Sequence, residues 1–188
     1  MAGGVFWACT PPQQQDAISG LEDGKTAESL TSFPQGAPVW LKGAKNLRGY
    51  WAIGIAYKST GGARFQQTEA TVKAKDALRE KVLVRVSRAV RNTLFAFSED
   101  NRTAEKLAFR TAQEVSTQVV TENIREAMYW DPQQTLFLLS RIPTEHVNRS
   151  TEETLPLILR EKPELLDAYT TGEGVDILRG NLIEEGVR

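Results

Sequence analysis

The stretch Gly49-Tyr50-Trp51-Ala52-Ile53-Gly54-Ile55-Ala56-Tyr57 decides how the rest of the chain folds. Large apolar residues alternate with Ala52, Gly54 and Ala56, and this two-residue period is typical of a strand with one bulky and one small face. The small face allows a helix or a second sheet to approach closely. The sequence that follows carries a small-residue stripe of its own, at Ala70, Ala74 and Ala77. We therefore predict that this strand and the next helix form the first half of an α+β core.

Composition places the chain among ordinary globular proteins. Its 188 residues are 40% hydrophobic and 25% charged, which suits one domain with a tail. The formal net charge of -1 provides no general attraction to nucleic acid or to an anionic membrane, and we predict no nucleic-acid partner. No run approaches the roughly 20 apolar residues that a membrane span needs. A single cysteine rules out a disulfide framework within the chain.

The N-terminal residues suggest a lipid anchor. Phe6-Trp7-Ala8-Cys9 ends like a bacterial lipobox, with a small residue directly before the cysteine, although Phe and Trp are atypical there. In one interpretation Cys9 is the lipidated first residue of the mature protein; in the other it is an incidental thiol in a flexible tail. Residues 10–36 are rich in Pro, Gln, Gly and Ser, which predicts a disordered linker with a root-mean-square reach of about 30 Å. An ordinary disordered terminus is the simpler alternative.

The first half of the domain combines two predicted edges and a helix. Pro38-Val39-Trp40-Leu41 predicts a short edge strand, and residues 65–81 predict a helix. Residues 82–87 fit two structures. Leu78, Val82 and Val86 would continue the helix at a spacing of four, but Val-Leu-Val-Arg-Val-Ser also alternates and is β-branched. We choose a strand here, with Val84 and Arg85 on an edge.

The second half predicts a helix, a hairpin and short C-terminal helices. A stripe of apolar residues predicts a helix over 103–119. Strands at 122–130 and 135–142 flank Asp131-Pro132, which is the residue order of a type I turn. Short helices follow at 155–160 and 163–169. The predicted fold is α+β: a single mixed or antiparallel sheet with two helices on one face. The predicted divisions are a tail at 1–36, a domain at 37–150 and a helical extension at 151–188.

No catalytic constellation appears in the sequence. The single histidine, His146, has no Cys or carboxylate pair near it and is a poor metal ligand. Cys9 has no neighbouring base that would activate it as a nucleophile. Arg85 and Arg88 give local positive charge, for which a solvated face is the plainer explanation. We therefore predict no enzyme activity, no cofactor and no metal.

The order of these elements carries a family resemblance over about residues 37–143. The motifs are packing motifs, at Pro38 and Trp40; Ala52, Gly54 and Ala56; Ala70, Ala74 and Ala77; and Trp130-Asp131. In these motifs the chain resembles the bacterial outer-membrane lipoproteins typified by the 20-kDa Helicobacter lipoprotein. The resemblance implies a small α+β domain, export and an N-terminal lipid anchor. Some relatives form rings or disks around the flagellar motor, and no catalytic site is carried over.

Three hypotheses of function follow. The first is a structural lipoprotein of the bacterial envelope, at the outer membrane, the periplasmic face or the cell surface, anchored through Cys9. It would form a homo-oligomer, with flagellar or other envelope proteins as further partners. Its candidate assembly surface comprises Trp40, Val84, Arg85 and Arg88. The second is a monomeric module that binds polysaccharide or peptidoglycan through exposed aromatics such as Trp40 and Tyr50. The third, an enzyme acting on a small substrate, lacks the residues it would need.

Overall fold

The computed structural model of the protein describes residues 34, 36–42, 49–98, 100–121, 124–171 and 173–187, with only the backbone at 124–126 and 184–187. The elements in chain order are α1 Val39–Lys42, β1 Tyr50–Ala56, α2 Gly62–Phe95, α3 Asn101–Thr121, β2 Ile124–Trp130, β3 Leu136–Ile142, α4 Thr144–Leu159, α5 Pro163–Thr171 and α6 Gly174–Val187. The predicted tail and Cys9 lie outside the described residues.

The three strands form one antiparallel sheet in the order β1-β3-β2. Gly54 of β1 and Met128 of β2 both pair with Leu138 of the central strand β3. The register of β2 shifts between Arg125 and Ala127, which marks a bulge. The α+β fold class is confirmed, and α2 is the helix that covers the sheet, over β1 and β3. The second helix, α3, packs mainly against α2 and α4.

Close approach between β1 and α2 confirms the prediction for the small face. A Cβ placed on Gly54 would overlap the carbonyl oxygen of Ala70 and lie 2.9 Å from the backbone nitrogen of Ala74. The backbone of α2 therefore rests directly on β1 at this point, without side chains between them. Ala56, Ala70 and Ala74 pack with Leu136 and Leu138 around the contact. Only glycine fits at this position.

The strand predicted over residues 82–87 is wrong, because α2 continues without a break for 34 residues. Eight of its ten buried positions are spaced by four, at Gln66, Ala70, Ala74, Leu78, Val82, Val86, Val90 and Leu94, and Ala89 and Thr93 lie beside this stripe. A helix turns by about 100° per residue, so a spacing of four moves the buried stripe about 40° around the helix at each step. The first part of the stripe therefore faces the sheet, and the later part faces α3 and α6. Tertiary packing outweighs the β propensity of the valines.

The predicted edge strand at Pro38-Val39-Trp40-Leu41 is also wrong. Residues Val39–Lys42 form the short helix α1, and this helix lies on the second face of the sheet. Ala37 and Leu41 are buried there against the bulky side chains of β1 and β3, with Trp40 half-buried beside them. The sheet thus has apolar cover on both faces, from one long helix and one short segment.

The C-terminal helices complete the main core. The helix predicted at 155–160 is the end of α4, which begins at Thr144 and continues through Pro156, and the helix predicted at 163–169 is α5. Side chains from α4, α5 and α6 join the same apolar cluster as α2 and α3, among them Leu155, Ile158, Tyr169, Leu178 and Leu182. The predicted boundary at residue 150 falls within α4, and the described residues that follow it pack on the core.

Candidate functional site

The predicted assembly surface is divided between two faces of the molecule. Trp40 is half-buried on α1, over the second face of the sheet. Val84, Arg85 and Arg88 lie on α2, which packs on the first face. Val84 and Arg88 are exposed, but both belong to a helix, so the predicted edge for strand pairing does not exist there. The structure does not bring Trp40 together with the other three.

Aromatic residues of β1 are also placed differently from the prediction. Tyr50 is only 2% exposed and belongs to the core, so the expectation that it forms part of an exposed binding surface is wrong. The guanidinium of Arg85 lies 5.3 Å from the centroid of the Tyr50 ring. The ammonium of Lys81 lies 4.4 Å from the ring centroid of Trp51 and donates to the Trp51 carbonyl at 3.1 Å. These cations pack against β1, and Lys81 caps one backbone group of the strand.

The hairpin between β2 and β3 forms at the predicted turn, and Asp131 organises it. The Gln134 N–H donates to the Asp131 carbonyl at 3.0 Å, which closes the turn around Pro132. The carboxylate Oδ1 of Asp131 accepts from the Thr135 N–H at 2.7 Å. Gln134 has a positive φ of 63°, a left-handed conformation that favours glycine. The hairpin prediction is confirmed, and Gln134, the last residue of the turn, has a strained backbone.

A buried glutamine ties this hairpin to the start of α2. Gln66 is only 4% exposed, and its Nε2 donates to the carbonyls of Tyr57 at 2.8 Å and Gln134 at 2.9 Å. These bonds join the end of β1 to the β2–β3 hairpin through the first turns of α2. Our sequence interpretation missed Gln66. The signal that identifies it is a single polar residue at the head of the buried stripe with spacing four.

A pocket of about 410 Å³ lies at this junction. It is lined by Lys58, Ser59, Gly62, Ala63, Gln66, Trp130, Asp131 and Gln134. The Ser59 hydroxyl oxygen accepts from the Gly61 N–H at 3.1 Å, just before α2 begins. Trp130, on the last residue of β2, is 37% exposed. The pocket therefore combines an aromatic wall, a cation, a carboxylate and a buried amide.

The edge strand β2 has an uncovered face beside this pocket. Met128 and Trp130 are paired in register with Leu138 and Leu136, so their side chains lie on the sheet face that carries α2. Since α2 packs over β1 and β3, it leaves these two side chains accessible, with Met128 45% exposed. We call Met128, Trp130 and the backbone edge between them the β2 ledge. It is an apolar surface on an edge strand.

Chemistry elsewhere in the described residues is sparse. No three His, Cys, Asp or Glu side chains of this part of the chain converge as a metal site. Burial raises the pKa of Tyr169 to about 12, and the nearby Glu152 carboxylate adds to the effect. Hydrogen bonds from Thr103 lower the pKa of the exposed Asp100 carboxyl, which caps α3. Both groups lie among the helices, away from the pocket.

Comparison with known proteins adds no relative. No family model matches the chain, and no curated protein sequence matches it. No described helix is long and apolar enough to cross a membrane.

Proposed function

We propose that this protein is a structural lipoprotein of the bacterial cell envelope that assembles into a homo-oligomer through the β2 ledge. The observation that carries the assembly is the accessible Met128 and Trp130 on an edge strand that α2 leaves uncovered. The envelope location and the anchor at Cys9 rest on the sequence resemblance. The outer membrane, with flagellar or other envelope proteins as partners, is the setting that the resemblance implies. The proposal includes no catalytic step and no cofactor.

The dimensions of the sheet explain why the ledge is open. Neighbouring strands lie about 4.8 Å apart, and a helix with its side chains is about 10–12 Å across. One helix is therefore wide enough to cover about two of the three strands. A single helix centred over β1 and β3 cannot also cover β2. An edge strand can pair with the same strand of a second copy, because antiparallel pairing satisfies its free backbone groups. Apolar side chains at that edge add burial to the hydrogen bonds.

A lipid anchor would hold such an assembly at a membrane. A single acyl chain gives only marginal membrane binding, whereas the several chains of a bacterial lipoprotein cysteine anchor stably. Residues 10–36 are long enough in sequence to separate the folded domain from Cys9 by about 30 Å. Neighbouring domains at one surface would then meet at a high effective concentration, which favours weak edge contacts.

Light scattering of the full chain across a concentration series tests the assembly. We expect a defined oligomer for the native sequence and a lower mass for Met128→Lys, because a charge on the ledge opposes edge pairing. Leu157→Lys is the matched control, since Leu157 is an exposed apolar residue on α4, and it should leave the mass unchanged. A native chain that is monomeric at every concentration, both alone and on lipid vesicles after acylation, would contradict the proposal.

Mass spectrometry tests the anchor separately. The chain is produced in a bacterium behind a lipoprotein leader, and the acylation of Cys9 is measured on the envelope fraction. We expect an acylated peptide from the native chain. Cys9→Ser should abolish the acylation and release the protein from the membrane. An unmodified Cys9 in membrane-free protein would contradict the anchor while leaving the ledge intact.

A further inference from the structure

The amide of Gln66 lines the pocket at the start of α2. Gln66 is only 4% exposed, and its Nε2 donates to the carbonyls of Tyr57 and Gln134. Because Nε2 is already engaged, Oε1 is the group of this amide that can accept from a ligand hydroxyl or N–H.

The other polar groups of the pocket include both donors and acceptors. Lys58 and the Ser59 hydroxyl can donate, while the second carboxylate oxygen of Asp131 can accept, because Thr135 uses only Oδ1. The Gly62 N–H donates to the Ser59 carbonyl at 3.2 Å, and the N–H groups that follow it in the opening turn of α2 lack helical acceptors. A ligand that both donates and accepts at several positions fits this lining better than a ligand with one kind of group.

Charge argues against a simple anion. The start of a long helix and Lys58 attract negative charge. The carboxylate of Asp131 in the same lining repels it, and the Gln66 Oε1 is itself an acceptor. The two side-chain charges balance, so the pocket suits a neutral ligand with many hydroxyl groups.

Trp130 supplies the remaining surface. It is 37% exposed and forms the aromatic wall of the pocket. The axial C–H groups on one face of a pyranose chair pack well against the face of an indole ring, while the hydroxyl groups at the ring's rim reach polar neighbours. A volume of about 410 Å³ is within the range of small-molecule sites.

We infer that this pocket binds a neutral saccharide, one or two sugar rings in size, with a ring stacked on Trp130 and a hydroxyl donating to Gln66 Oε1. The inference does not rest on the proposed assembly, but the two surfaces share Trp130, so an interface that buried its ring would compete with the sugar. It also places saccharide recognition at residues different from Trp40 and Tyr50, which the sequence alone suggested.

Ligand-observed NMR and calorimetry on the full chain test the inference, with cellobiose, maltose and di-N-acetylchitobiose as probes at millimolar concentration. We expect at least one disaccharide to bind. Trp130→Ala should weaken binding by about tenfold or more, and Trp130→Phe should restore part of it. Lys58→Ala should weaken binding by a smaller factor, because its exposed ammonium contributes one hydrogen bond. Met128→Ala, on the same strand and face but outside the pocket lining, is the matched control and should bind like the native chain.

Three results would overturn the saccharide site. They are no binding of any of the three disaccharides, binding that Trp130→Ala leaves unchanged, and binding of inorganic phosphate without binding of sugar. Light scattering of the same samples separates this inference from the assembly. Met128→Lys should lower the mass of the oligomer but keep sugar binding. Lys58→Ala should weaken sugar binding but keep the mass.

Discussion

The buried stripe of α2 is inaccessible to solvent in both halves of the helix, but the two halves pack in opposite ways. In the first half, Ala70 and Ala74 place the helix backbone directly against Gly54 of β1. In the second half, Val82, Val86 and Leu94 fill the space between α2 and the helices around it. The five helix residues named here are all fully buried members of one stripe. In the first half, small residues let the backbones of α2 and β1 touch. In the second half, bulky side chains set the distance between α2 and its neighbouring helices.

This difference means that the same helix should respond to substitutions in opposite directions along its length. Additional volume should be most harmful where backbones touch, because backbone atoms cannot change rotamer to make room. Lost volume should be most harmful where side chains fill the core, because a cavity remains. The predictions below follow this contrast from the largest expected effect to the smallest.

Gly54→Val should have the largest effect. Its Cβ would meet backbone atoms of Ala70 and Ala74, so β1 and α2 would have to separate. We expect a loss of more than about 4 kcal/mol in the free energy of unfolding, or failure to fold, measured by urea denaturation. Gly180→Ala is the control: it lies in α6 with no atom within 4 Å of the added Cβ, and should stabilise by about 0.5–1 kcal/mol. Equal behaviour of the two variants would refute close contact at Gly54.

Leu94→Ala should show the opposite sensitivity in the second half of α2. Leu94 is fully buried, and truncation leaves a cavity next to α3 and α6. We expect destabilisation by about 2–5 kcal/mol in the same urea experiment. Leu94→Met keeps most of the volume and should cost less than about 1.5 kcal/mol. A Leu94→Ala variant as stable as the native chain would show that this half is not filled by side chains.

Alkaline pH should destabilise the core around the second half through Tyr169. Burial raises the pKa of this phenol to about 12, above the value near 10 in the unfolded chain. The unfolded state therefore releases the proton first, and stability is lost as the pH rises from about 10 to about 12, by up to ~3 kcal/mol. Urea denaturation across this range measures the loss. In Tyr169→Phe that part of the pH dependence should disappear; an unchanged slope would count against the buried phenol.

Ala74→Val should show that the first half tolerates little additional volume. The new methyl groups would enter the space between α2 and β1, where Ala56 and Leu138 already pack. We expect destabilisation by about 1–3 kcal/mol, in contrast to Ala63→Val, which adds the same volume at an exposed position of α2. Comparable stabilities of the two variants would contradict the contrast between the halves.

Gln134→Gly should have the smallest effect, and it should stabilise. Gln134 has a φ of 63°, which glycine adopts without strain, and the carbonyl that accepts from Gln66 is retained. We expect a gain of about 0.5–1 kcal/mol in thermal or urea unfolding. Gln133→Gly, one position earlier in the turn, is the control and should give no gain. A loss of stability in Gln134→Gly would show that its side chain matters more than its backbone.

Several parts of the fold could be predicted because a local pattern specifies them. The alternation around Gly54, the order Asp131-Pro132 and the stripe of α3 each point to a single local structure, and each is confirmed. The pocket could be predicted only in pieces. Asp131 and Trp130 were recognised as parts of a hairpin, but nothing local relates them to Lys58 or Gln66, which lie more than sixty residues earlier.

Local patterns in the chain specify the three strands of the sheet, the hairpin and the close contact at Gly54, because two-residue alternation and turn chemistry act within a few residues. That residues 82–87 continue α2 follows from long-range packing instead. Residues spaced by four share a face in a strand, and they also lie about 40° apart on a helix, so Val82 and Val86 satisfy both patterns. Their helical state depends on α3 and α6, which cover the winding stripe, and these contacts join residues distant in the chain.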